Sequence, residues 1–445
     1  MKITLIDPSR YLDSGKLHKP KRLFSPSLTL PLLAALTPDD VEVSIVNEVF
    51  EDINFDHEAD VIGITSYTTN IHRAYQVADE FRRRNVPVVM GGMHVSMEPE
   101  EAQEHTDTII IGEAEETWPQ FINDFRNGIR KNVYEARERP SLANLPMPRF
   151  SLLDQSKYVT FKKQGLSGFF LKTMIPIETA RGCPYSCDFC TVTKFFGGQY
   201  RPRPISDVIN EIKALEAKIC YFIDDNIFAS PARAKELFKA LIPLKINWIS
   251  QATIGAVEDK ELIELARKSG CLFLCIGLES LSRTNLVSMG KKINKVENYA
   301  KYLKAYSDAG IIVGVTMMFG FDDDEPGVFK EAYDFLVKNH VPLTAWQAIR
   351  PQPGTALYKR LKDQGRLKDN KWWLSPDVKT CYLQYTGTKM DEEVFAKNFN
   401  YYYNHFFSLG SIIKRTLLPP QKRFLLQLLF NLIYRRNLTS EAFYQ

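Results

Sequence analysis

Short apolar runs alternate with longer amphipathic stretches along the first part of the chain. Ile3–Ile6, Val41–Val46, Asp60–Ser66, Val88–Met90 and Thr108–Ile111 are mostly apolar, whereas the residues between them, 72–84 for example, repeat apolar positions at helical spacing. Continuous apolar runs fit strands buried on both faces, and helices between them make those strands parallel. Residues 1–126 therefore read as a five-stranded, doubly wound α/β domain of Rossmann or flavodoxin type. Ligands bind such sheets in the crevice at the carboxyl ends of the strands. The sequences lying there are Ser66-Tyr67-Thr68-Thr69, Gly91-Gly92-Met93-His94 and Gly112-Glu113-Ala114-Glu115.

The periodicity fades over 127–165, where Pro140, Pro146 and Pro148 interrupt the chain, so this stretch reads as a linker. Strand and helix patterns then alternate again over 166–380. Strands are expected at Ile175–Thr179, Ile219–Asp224, Trp248–Thr253, Phe273–Gly277, Ile312–Phe319 and Thr344–Ile349. Six strand–helix units in series predict a partial (β/α) barrel, whose site forms where strands end and loops begin. Residues 381–445 read as a helical extension, rich in aromatics from Phe395 to Phe407 and then apolar between Arg423 and Arg436.

Composition narrows the class. A hydrophobic share of 44% and a charged share of 25% over 445 residues are those of an ordinary globular chain. The net charge of +4 is uneven: residues 410–445 carry +5, which leaves −1 over the first 409. Basicity confined to a tail argues against a nucleic-acid reader. Without a basic and apolar leader or a run of 18 apolar residues, the chain is expected in the cytoplasm. The segment 423–436 would span only about 21 Å as a helix, too short to cross a bilayer. It fits a helix lying at a membrane surface and equally one packed on the barrel.

Three of the seven cysteines fall within "RGCPYSCDFC", as Cys183-x3-Cys187-x2-Cys190, just after the first barrel strand. A reducing compartment argues against disulfides. Structural zinc takes four protein ligands, and no partner pair at finger spacing follows. A ferredoxin-type cluster needs a fourth nearby cysteine, but Cys220, Cys271, Cys275 and Cys381 are distant and mostly within expected strands. What remains is a cluster with three irons held and one open to a ligand.

This loop, with Phe189 just before its last cysteine and a six-unit barrel behind it, resembles the radical S-adenosylmethionine (SAM) superfamily. The resemblance implies a 4Fe–4S cluster held by Cys183, Cys187 and Cys190, with SAM on the open iron. One-electron reduction, supplied by a donor such as flavodoxin or ferredoxin, then cleaves SAM to a 5′-deoxyadenosyl radical. Further resemblances place Asp224 and Asp225 near the SAM ammonium, where carboxylates accept charge-assisted hydrogen bonds. They also place Gln251 and Glu279 near the ribose and methionine parts. Either aspartate could equally cap the following turn. Glu279 ends an apolar strand, where a carboxylate is costly without a partner.

An α/β domain ahead of such a barrel resembles the cobalamin-binding branch of the superfamily. The resemblance places the corrinoid near Thr68, Gly91, Gly92, His94, Gly112 and Glu113. The Asp-x-His-x-x-Gly signature that supplies a cobalt ligand in many corrinoid proteins is absent: Glu48–Ile53 holds no histidine. His94 is expected as a turn residue near the ligand rather than a cobalt ligand. The layout is similar to the methylases of hopanoids and of chlorophyll-type rings and to the anaerobic oxidative cyclase. It implies a methyltransferase acting on an unactivated carbon of a small hydrophobic substrate, polycyclic or tetrapyrrole-like. A cyclase, hydroxylase or rearranging enzyme is the nearest alternative, and a non-catalytic iron–sulfur or corrinoid sensor is the alternative of another class.

Overall fold

A computed structural model of the chain describes residues 1–158, 174–375, 382–418 and 421–438. The expected boundaries at 165/166 and 380/381, and Cys381 with them, lie outside these residues. The chain forms two compact units, one of Met1–Pro176 with Lys371–Val378 and one of Ile177–Asn370 with Lys379–Gln445.

The first unit is a sheet of β1 (Lys2–Asp7), β2 (Glu42–Asn47), β3 (Val61–Thr65), β4 (Val88–Gly91), β5 (Thr108–Ile111) and β6 (Val133–Glu135). Its order is β2-β1-β3-β4-β5-β6, and every pairing is parallel. Among the described residues five α-helices accompany it: α1 (Thr29–Leu36), α2 (Ile71–Arg83), α3 (Met93–Met97), α4 (Pro99–His105) and α5 (Thr117–Arg126). Leu5, Val61, Val89, Ile110, Trp118 and Phe121 belong to one buried cluster, the arrangement that uniformly apolar strands demand. The sixth strand falls within the stretch read as linker. It has three residues, only Tyr134 is buried, and so short an edge strand leaves no periodicity to read.

The second sheet begins with β7 (Ile175–Ile177), at the boundary of the two units, followed by a ribbon of β8 (Ala180–Arg181) and β9 (Arg201–Pro202). The sheet continues with β10 (Ile219–Phe222), β11 (Asn247–Ala252), β12 (Cys271–Glu279), β13 (Ile312–Phe319) and β14 (Leu343–Ala348). Its strands lie side by side in chain order, and the pairings from β10 to β14 are parallel. The helices are α6 (Thr191–Phe195), α7 (Ile205–Ala214), α8 (Pro231–Leu241), α9 (Lys260–Lys268), α10 (Arg283–Ser288), α11 (Tyr299–Ala309), α12 (Gly327–Lys338) and α13 (Ala356–Asp363). This is the sequential strand–helix order of a partial barrel. Three further helices follow: α14 (Glu392–Phe406), α15 (Leu409–Thr416) and α16 (Phe424–Leu438). Phe395 and Phe399 of α14 pack edge-on against Phe329 of α12, so most of the aromatic run read from sequence is core, with Tyr401 left exposed.

Candidate functional site

The three-cysteine loop leaves β8 through Gly182, whose φ of +82° puts its Cα against the Gln199 carbonyl, leaving no room for a side chain. The Gly182 N–H donates to Asp225 Oδ2 at 2.9 Å. Further along, the Asp188 N–H donates to the Met289 carbonyl at 3.0 Å and the Leu357 N–H to the Asp188 carbonyl at 2.9 Å. Arg360 pairs with the Asp188 carboxylate at 2.6 Å. The loop is thus pinned by segments following β10, β12 and β14. Cys183, Cys187 and Cys190 all stand between buried and exposed. Burial pushes all three thiols above their ordinary value, Cys187 up to about 11.

Asp224 and Asp225 lie just beyond β10 but serve different neighbours. Asp224 is buried and accepts from the Thr179 N–H at 2.7 Å and from the Thr179 hydroxyl, tying β10 to the segment that feeds the loop. Burial raises its carboxyl to about 7. Asp225 is partly open, lies beside Cys183 and Cys190, and is raised by burial to about 6. Gln251 is exposed at the end of β11 and hydrogen-bonds Tyr221.

Glu279 closes β12 with φ +66°, a costly conformation for a residue with a side chain, at a register shift against β13. Its Oε1 is ion-paired to Lys291 Nζ, and its Oε2 accepts from Thr316 Oγ1 at 2.8 Å. A Cβ on Gly277 would strike both Glu279 Oε1 and Lys291 Nζ, so the glycine makes room for the pair. Asn294 Nδ2 donates to the Gly277 carbonyl at 2.8 Å, and the Tyr299 hydroxyl to the Leu278 carbonyl at 2.9 Å, fixing the irregular strand end. Burial works against the Lys291 charge, but Glu279 and the thiols of Cys187 and Cys190 outweigh it and hold the ammonium protonated. Sequence reading missed Lys291: "KK" after a glycine looks like a solvated pair, and only the fold draws Lys291 partly out of solvent while leaving Lys292 exposed.

A cavity of 340 Å³ lies against the loop, walled by Phe189, Met289, Met318, Phe321 and Tyr385 with Arg360 at its side. Cys220 and Cys271 are buried, and Cys275 is partly so.

In the first unit the glycine turns meet over the carboxyl ends of β3, β4 and β5. Gly91 ends β4, and Gly92, at φ +102°, brings its Cα so close to Ser66 that a Cβ would lie 2.6 Å from that residue's carbonyl. Ser96 Oγ donates to the Gly92 carbonyl at 2.9 Å and accepts from the Gly112 N–H at 2.8 Å, stapling the two turns together. Beyond Gly112, at φ +80°, a Cβ would meet nothing within 4 Å. Thr68 is partly buried, while Glu113 is buried with Arg139 Nη1 at 4.0 Å. Tyr67 stands 51% exposed at the end of β3.

His94 is on α3 and fully buried, not in an open turn. Its Nδ1 bonds Thr68 Oγ1 at 3.1 Å and its Nε2 bonds Glu101 Oε1 at 3.2 Å, so both nitrogens are already engaged. Glu101 Oε1 also accepts from the Tyr75 hydroxyl and from Trp373 Nε1, each at 3.0 Å. Burial raises the Glu101 carboxyl, but donation from His94, Trp373 and Tyr75 wins and holds it near 2. Trp373 belongs to the segment Lys371–Val378, which follows the barrel in sequence yet completes the first unit.

A family model described as the radical SAM superfamily matches residues 177–336, and one described as the B12 binding domain matches residues 32–122. The chain is 30% identical over 415 residues to the bacteriochlorophyllide d C-12(1)-methyltransferase of Chlorobaculum tepidum, across 92% of this chain and 86% of that protein. It belongs to the cobalamin-dependent radical SAM methyltransferase family.

Another relative is the bacteriochlorophyllide d C-8(2)-methyltransferase of the same organism, 29% identical over 428 residues, across 93% of this chain and 92% of that protein. The structure of the radical SAM methyltransferase TsrM from Kitasatospora setae shares the fold, with a TM-score of 0.63 at 18% identity over 82% of this chain and 76% of that one. As a cobalamin-dependent radical SAM methyltransferase, the protein uses a 4Fe–4S cluster, SAM and cobalamin.

The residues fit these groups. Three half-buried thiols with raised values need cationic partners to become thiolates. Among the described residues, no three His, Cys, Asp or Glu side chains are gathered as for a single metal ion, whereas a cluster takes one thiolate per iron. In the first unit, the stapled glycine turns and exposed Tyr67 leave backbone and an aromatic face toward a ligand over the sheet. His94 has no nitrogen to offer a cobalt.

Proposed function

We propose that this methyltransferase transfers a methyl group to an unactivated carbon of a small hydrophobic acceptor of the tetrapyrrole class. What carries the substrate class is that both bacteriochlorophyllide methyltransferases align over more than nine-tenths of the chain, 93% and 92% of it. In this reading Cys183, Cys187 and Cys190 hold the cluster, with Asp225, Gln251 and Glu279 around the SAM site. Thr68, Gly91, Gly92, Gly112 and Glu113 line the corrinoid site, while Asp224 and His94 act one step back by fixing Thr179 and Thr68. When bound, the cofactors supply one-electron reduction, hydrogen-atom abstraction and the methyl group.

The chain's own residues orient and insulate. Asp225 anchors the first residue of the cysteine loop, and Asp188 with Arg360 anchors its middle. Lys291 holds a positive charge beside two of the thiols, and Glu279 with Thr316 fixes where that charge sits. Phe189, Met289 and Met318 put apolar surface against the loop. A flavodoxin or ferredoxin is the electron donor in this reading, and residues 423–436 lie against a bilayer, where such acceptors partition. No helix among the described residues is long and apolar enough to cross a membrane.

The test is anaerobic turnover of the reconstituted protein with SAM, a reductant and bacteriochlorophyllide acceptors. A product heavier by one methyl, formed only with cobalamin present, supports the reading. A ring-oxidised product without added methyl, or full turnover without cobalamin, overturns it.

A further inference from the structure

Helices α15 and α16 are fastened to the barrel by one face and leave the other bare. Arg415 is completely buried, with Nη1 donating to the Val341 and Pro342 carbonyls at 2.8 and 2.6 Å and Nη2 to the Phe406 carbonyl at 2.7 Å. Asn431 of α16 accepts from the same guanidinium at 3.1 Å, so one side chain locks both helices. Arg423 donates to the carbonyl of Cys271, the first residue of β12, at 3.3 Å. These anchors lie at the amino ends of β12 and β14, whereas Glu279 and the residues that pin the cysteine loop lie at carboxyl ends.

The opposite face is apolar. Leu409 and Ile413 lie one helical turn apart on α15, Leu418 follows, and Leu425, Leu429 and Leu432 repeat at i, i+4 and i+7 on α16. All six are between 40% and 63% exposed. Side chains of this size, grouped within 24 residues, mark an interaction surface rather than scattered surface apolarity. The same stretch, 409–438, holds six Lys and Arg and no Asp or Glu. Lys414, Lys422 and Arg435 are exposed, and among the described residues Lys422 and Arg435 donate only to backbone carbonyls, which leave their charge uncompensated.

We infer that the leucine face of α15 and α16, with its basic rim, seats the protein on an anionic lipid surface with the cysteine end of the barrel directed away from it. This rests on the bilayer contact proposed above and specifies its face and its lipid. An aliphatic row rimmed by cations is what an interfacial helix presents, its apolar side chains among acyl chains and its cations at phosphates. A second copy docking symmetrically on the same patch would bring two acid-free basic rims together, so it is disfavoured.

Co-sedimentation of the full-length, cluster-loaded protein with vesicles tests this. Vesicles containing a quarter phosphatidylglycerol in phosphatidylcholine should bind about tenfold more protein than phosphatidylcholine alone, with the excess lost at high salt. The triple variant Leu425→Glu, Leu429→Glu, Leu432→Glu should lose binding while retaining its circular dichroism and SAM cleavage. The milder Lys414→Glu should weaken anionic binding about fivefold, leaving neutral-vesicle binding unchanged. Binding to neither vesicle overturns the bilayer contact itself. Equal, salt-insensitive binding to both leaves that contact standing and overturns the anionic assignment. A dimer in light scattering that the triple variant abolishes overturns it in favour of a second copy.

Discussion

Lys291 and Glu279 form an ion pair whose two ends face different things: the ammonium faces the thiols of Cys187 and Cys190, and the carboxylate's other oxygen holds Thr316. Lys291 influences all three loop cysteines, whereas Glu279 reaches chiefly Cys187. The pair is therefore an oriented dipole with its positive end toward the loop, at the cost of a left-handed φ for Glu279 and of any side chain at position 277.

Lys291→Met should lower the reduction potential of the cluster, because a positive charge beside it favours the added electron. SAM cleavage should fall by about 10- to 100-fold, the usual range for residues that support a metal's ligands. Removing one member of a buried pair also costs stability, of order 3–5 kcal/mol. Lys291→Arg, which keeps the charge, should recover most of the potential. Redox titration followed by electron paramagnetic resonance reads this directly, and an unchanged midpoint in Lys291→Met would contradict the role given to the charge.

Trp373→Phe removes one of the donors to Glu101 Oε1 and should destabilise the first unit by about 1–3 kcal/mol, the cost of leaving a buried acceptor short of a partner. The loss should be felt above pH 4.5. The native Glu101 carboxyl is held near 2, so its stabilisation is present above the unfolded value of 4.5 and disappears as pH falls from there toward 2. Urea unfolding at pH 7 and at pH 3 checks both halves: the gap between variant and parent should narrow in acid.

Asp7 gives the opposite sign. It is partly buried at the end of β1, and loss of hydration there raises its carboxyl from 3.8 to about 7. The native state therefore keeps its proton where the unfolded chain has lost it. The contribution is favourable at low pH and is lost as pH rises from about 4 to 7, by no more than about 4 kcal/mol. Asp7→Asn should flatten that decline. Equal slopes for variant and parent between pH 5 and 8 would mean that another group carries it.

Much of this is legible in the sequence. Uniform apolar runs identified the strands of both sheets, because a parallel strand covered on two faces has little choice of residue. The cysteine spacing drew attention to the loop, since a local motif needs no fold to be recognised. What escaped depended on distant parts of the chain. Three-residue β6 is too short for a pattern, and Trp373 follows the barrel in sequence yet packs on His94 and Glu101. Lys291 looked solvated because its burial is imposed by β12 and the cysteine loop. The apolar run 423–436 was ambiguous as to membrane or barrel because α16 uses one face for the barrel and leaves leucines on the other.

In the proposed reading the cysteine loop holds the cluster that cleaves SAM. Cys187→Ala, purified and reconstituted anaerobically beside the parent, tests it by the 5′-deoxyadenosine formed with SAM and dithionite. The parent should produce it and the variant none above background, while the variant keeps its fold and its cobalamin absorbance. Undiminished 5′-deoxyadenosine from Cys187→Ala would contradict the account.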